Sequence, residues 1–267
     1  MKNVAMLLGV ALLLAACDGA PTTPETSQPA RGPTVTGTVI EEDPAQPTYP
    51  NLTLRAWSGG AGTVSGSVSD AAGKTTVVAT GTLNADGGFS LSLPATLADA
   101  SLSSLGTALD LQANPLAGEL VPGGLTCTAA LVPSDAAARG AGLLVTVTAG
   151  QKTGPISSVL QSGQFDETAQ SATLDNRSGA YLYSDRAVSI SGTQTCTGTS
   201  QGTEVRTTLN SNVTLSQGWN LLSVNTNLVA NRTSVTMTVT AQTGELPTNQ
   251  WLYSSGTLAP LGLPRLR

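Results

Sequence analysis

Few side chains in this 267-residue sequence could carry chemistry. There is no histidine. Neutral imidazole is the usual general base near neutral pH and the commonest transition-metal ligand. Ser-His-Asp and Cys-His arrangements are therefore excluded, as are zinc sites built on His. The acidic clusters are Glu41-Glu42-Asp43 and Asp166-Glu167. Carboxylate pairs can bind Ca²⁺ or do acid–base work. Adjacent residues on a strand point to opposite faces, however, so both clusters read as solvated loops. Asn84-Ala85-Asp86-Gly87-Gly88 lacks the Asp/Asn repeat and closing Glu of a Ca²⁺ loop and reads as a hairpin turn. A Ser/Lys hydrolase would have to use Lys74 or Lys152, and neither lies in a Ser-x-x-Lys pattern. Trp57, Trp219 and Trp251 could form a stacking platform for sugar rings, because an indole offers a broad apolar face. Tyr181 and Tyr183, two apart, share a face and are the next surface candidates. The competing reading of these aromatics is core or rim packing. No catalytic set, metal site or cofactor is expected.

The N-terminus carries the most specific pattern. Met1-Lys2-Asn3 is a short positive start, and Val4 to Ala16 is an unbroken run of apolar residues and Gly. That run is shorter than the ~20 residues a spanning helix needs and fits a signal-peptide core. It ends in Leu14-Ala15-Ala16-Cys17, which resembles the bacterial lipoprotein signal: Leu, two small residues, then Cys. The resemblance implies a diacylglyceryl thioether on Cys17, cleavage just before it, and in many members acylation of the new amino group. Each buried CH₂ contributes about 0.8 kcal/mol, so two or more chains anchor stably. Asp18 resembles the signal that keeps such lipoproteins in the inner membrane of enteric bacteria. With Cys17 lipidated, Cys127 and Cys196 remain, and an even pair in an exported chain predicts one disulfide.

The scaffold for these residues reads as all-β, one or two β-sandwich domains. Residues 1–16 are the signal peptide. Residues 17–33, with Pro21, Pro24, Pro29 and Pro33, read as a tether stiffened toward polyproline II. From Thr34 onward period-2 alternation dominates: Val35, Gly37 and Val39 on one side, and Phe89, Leu91 and Leu93 against Ser90 and Ser92. The first domain is placed at 34–114. Gly37-Thr38-Val39 and Ala85-Asp86-Gly87-Gly88-Phe89-Ser90-Leu91 give it a loose resemblance to carboxypeptidase-regulatory-like, transthyretin-type sandwiches, which are mostly structural or binding units. A short helix fits only Ala95 to Leu111.

The second domain is placed at 125–255, after a Pro/Gly-rich boundary, with 256–267 as a tail. Leu143, Val145, Val147 and Ala149 share one strand face, and Val188 and Ile190 run in even register toward Cys196. Val205, Leu209, Val213 and Leu215 begin what reads as a three-strand meander that continues through Trp219 to Asn227. It ends with Val235, Met237, Val239 and Ala241 alternating with Ser234, Thr236, Thr238 and Thr240.

Only 11% of residues are charged and the net charge is −5. With no Lys/Arg cluster to neutralise phosphates, a nucleic-acid partner is excluded. The expectation is a non-enzymatic, lipid-anchored envelope protein that binds or scaffolds, with the membrane as one partner and an envelope protein or glycan as another. A carboxylate-based polysaccharide or peptidoglycan hydrolase and a carbohydrate-binding module are the alternatives.

Overall fold

A computed structural model describes residues 31–43, 51–108, 126–128, 131–200 and 202–254. Cys17, Asp18, the signal peptide, most of the tether, the 114–124 boundary and the tail lie outside the described residues. The body is all-β. Its strands are Arg31–Glu42 (β1), Leu54–Ala56 (β2), Gly62–Ser69 (β3), Thr75–Leu83 (β4), Gly88–Pro94 (β5), Ser103–Ser104 (β6), Thr126–Cys127 (β7) and Arg139–Gly142 (β8). They continue with Leu144–Ala149 (β9), Lys152–Asp166 (β10), Ser171–Ser184 (β11), Val188–Ser200 (β12), Thr203–Leu215 (β13), Gly218–Ala230 (β14), Ser234–Thr243 (β15) and Gln250–Tyr253 (β16). The Ala95–Leu111 stretch holds a 3₁₀ turn, Asp99–Ser101, and one helical turn, Leu105–Ala108.

Seven strands close a ring in the order β1, β5, β4, β3, β9, β10, β16 and back to β1. All neighbours are antiparallel except β16 against β1. Alternation decides what faces inward. Phe89, Leu91 and Leu93 are buried while Ser90 and Ser92 are exposed, and Val35, Val39, Val64, Val145, Val147, Ile156 and Trp251 complete the core. The Asn84–Gly88 turn is a hairpin, as its chemistry predicts: Gly87 sits at φ +90°, and Gly88 N–H donates to Asp86 Oδ1 at 3.0 Å. Gly37 is required because an added Cβ would lie 2.4 Å from the Trp251 ring.

Two features differ from the sequence reading. β1 begins at Arg31, inside the segment read as tether. Its ladder shifts register between Arg31 and Thr34, where Pro33 has no N–H to donate. Hydrogen-bonded pairing also joins the stretches on either side of the 114–124 boundary. Strands from 144–166 and 250–253 complete the ring begun by β1 to β5.

β10 leaves the ring at Ser158 to pair with β11, which starts a second sheet in the order β11, β14, β15, β13, β12, β7. Its covered face buries Leu182, Val188, Ile190, Leu209, Val213, Leu215 and Leu222, and Leu105, Leu131 and Ala138 pack against them. Residues 126–128 strap the outer edge of β12. Cys127 faces Cys196 in register and is joined to it by a disulfide, and Pro133 bridges Ile190. The chain then runs on as β8 to the edge of β11. There Arg139 pairs with Asp99 and Asp185, and Arg186 with Asp185 and Asp135.

The expected meander is corrected. β13 and β14 are joined by two residues but do not pair with each other. β15 lies between them, antiparallel to β14 and parallel to β13. The insertion fits because β15 ends at Thr243, short of the turn. The Thr243 hydroxyl then fills the gap, donating to Thr214 O at 2.7 Å and accepting from Thr214 N–H at 2.9 Å.

Candidate functional site

A polar cluster around the buried Glu41 closes one mouth of the ring. Glu41 continues the inward face of Val35 and Val39 on β1, and Lys152 that of Ile156 on β10. The solvated-loop reading of Glu41 is thereby corrected. Glu41 is a strand residue 4% exposed, whereas its neighbour Glu42 is exposed. Lys152 Nζ lies 2.5 Å from Glu41 Oε1, and Arg55 Nη2 lies 3.0 Å from Oε2. Ser58 donates its backbone N–H to Oε1 at 2.8 Å and its hydroxyl to the same oxygen at 3.1 Å. Lys152 also donates to Ser58 Oγ at 2.7 Å, and its ammonium lies 5.1 Å from the Trp57 ring centroid. Burial alone would raise the Glu41 pKa. The hydrogen bonds from Lys152, Ser58 and Arg55 outweigh it and hold the carboxyl below its ordinary value.

This is a Ser–Lys–Glu contact that no local motif announces, since Ser58 and Lys152 stand 94 positions apart. Its chemistry is that of a latch. A serine nucleophile needs a base to take its proton. The acceptor of the Ser58 proton here is a carboxylate whose basicity is lowered and whose oxygens already carry several donors. A glycosidase general acid needs a raised pKa, the opposite shift. Among the described residues no group of three or more Cys, Asp or Glu could hold a metal ion. The other acidic pair caps a turn, where Ala169 N–H donates to Asp166 Oδ1 at 2.9 Å.

The aromatic candidates are distributed over three edge-to-face pairs. Trp57 meets Tyr253 at 5.4 Å, Trp251 meets Phe89 at 5.5 Å, and Trp219 meets Tyr183 at 5.4 Å between centroids. Trp57, Trp251 and Tyr183 are buried. Trp219 Nε1 donates to Pro94 O at 2.8 Å and ties the second sheet to the ring. The tryptophans do not form a common platform.

Tyr181 is placed differently. With Leu221 it faces β1 across a cleft of about 360 Å³, lined also by Thr34, Thr36, Glu245, Leu246, Thr248 and Asn249. Burial raises the Tyr181 pKa above its ordinary value. Along the same side of β11 and β14, beyond this cleft, the outward face of the second sheet is mostly Thr, Ser and Asn, with Asp175, Arg177, Glu204 and Arg206 among them. One row, in register, is Asp175, Asn227, Thr238, Thr208 and Thr195; the next is Arg177, Asn225, Thr240, Asn210 and Thr193. Rows recur every ~6.7 Å along a strand and ~4.8 Å across strands. Asp175 Oδ1 and Asn225 Oδ1, diagonal neighbours on this side of the sheet, are themselves buried from solvent and have no hydrogen-bond donor. The far margin opens into a hollow of about 610 Å³ lined by Thr126, Thr197, Thr199 and Glu204, among others. The signal for this face was the Thr-x-Thr spacing of β12 and β15, which sequence reading takes as a wet face and nothing more.

Comparison of the chain with family models, with curated proteins and with solved structures finds no match.

Proposed function

We propose that this chain is a cell-envelope lipoprotein, anchored through lipid on Cys17, whose β body binds or scaffolds without catalysing a reaction. The observation that carries the reading is Leu14-Ala15-Ala16-Cys17 closing a 13-residue run from Val4 to Ala16 of apolar residues and Gly. The rest of the molecule supports an exported, non-enzymatic role. A disulfide joins Cys127 to Cys196, the bonding expected of an oxidising compartment. Among the described residues Glu41 is the one deeply buried carboxylate, and it is committed to holding the ring mouth. Asp18 favours retention at the inner membrane.

Mass spectrometry of the protein purified from its native membrane tests the anchor. The expected N-terminal peptide begins at lipidated Cys17, and Cys17→Ser is expected to move the protein from the membrane pellet to the soluble fraction. An intact leader or an unmodified thiol in the native protein would overturn the reading.

A further inference from the structure

We draw no further inference here: the strongest candidate, the outward Thr- and Asn-rich face of the second sheet across β11, β14, β15, β13 and β12, buries Asp175 Oδ1 and Asn225 Oδ1 from solvent, and nothing in the structure shows what covers it.

Discussion

In the ring, each of seven strands has a hydrogen-bonded neighbour on both sides, and the last is supplied by the C-terminal β16 wedged parallel to β1. In the second sheet β12 would be an open edge, and the chain covers it with a strap pinned by a disulfide. The ring keeps its aromatic pairs inside and closes one mouth with an ion pair. The sheet has an apolar covered face and presents Thr and Asn outward. Closure removes strand edges altogether, whereas a strap covers one at the cost of a covalent staple. The difference separates a closed ring around a buried core from a sheet with one covered and one solvated face.

The comparison is most easily broken at Trp251. It is 3% exposed, packs edge-on to Phe89 and covers Gly37 from β16. Trp251→Ala should cost about 3–5 kcal/mol, the range for a buried large aromatic, read from urea denaturation. If the ring is a rigid support for the rest, the loss should be cooperative across the molecule. A cost under about 1 kcal/mol would mean that β16 does not hold the ring shut.

The staple comes next. Cys127→Ala/Cys196→Ala opens a link between positions 69 apart and should cost about 2–4 kcal/mol. Hydrogen exchange should rise first in β7 and along β12, with the ring strands protected. Uniform loss of protection would erase the distinction between the two regions.

Glu41→Gln probes the mouth. It leaves Lys152 and Arg55 without their shared carboxylate. Because both cations are partly exposed, we discount the cost of breaking a buried pair to about 2 kcal/mol. The folded pKa of Glu41 lies below its unfolded value. Its contribution is therefore present above the unfolded pKa, near 4.3–4.5, and is lost as pH falls through the folded one. Wild type should lose stability in acid below about pH 4.5 more steeply than Glu41→Gln, measured as Tm against pH. Parallel curves would show that the latch carries no weight.

These sites differ in how far the sequence disclosed them. Strand faces were legible because period 2 is local: Phe89, Leu91 and Leu93, or Val205 through Leu215, announce their buried side within a few residues. The hairpin at Asn84–Gly88 was legible for the same reason. Strand order was not. β15 shows its alternation plainly, yet its place between β13 and β14 depends on Thr243 ending the strand short of a turn made elsewhere. The Glu41 latch was hidden because Lys152 lies 111 positions away, and an acidic run next to Pro44 looks the same in a loop as at a strand end. The sequence showed that the aromatics were few but not that they would pair across the core.

The smallest expected effect sharpens the contrast most. Thr208, Asn225 and Thr238 are half-exposed and point away from the covered face. Removing all three side chains should cost about 1 kcal/mol or less, chiefly through lower strand propensity. Asn225 Oδ1 gives up no hydrogen bond when it goes, so that part of the change should be neutral or slightly stabilising. A folded variant with an almost unchanged urea midpoint would show that these residues are not needed to hold the sheet together. A loss of about 3 kcal/mol or more would place them in the support, and the division between ring and face would fail.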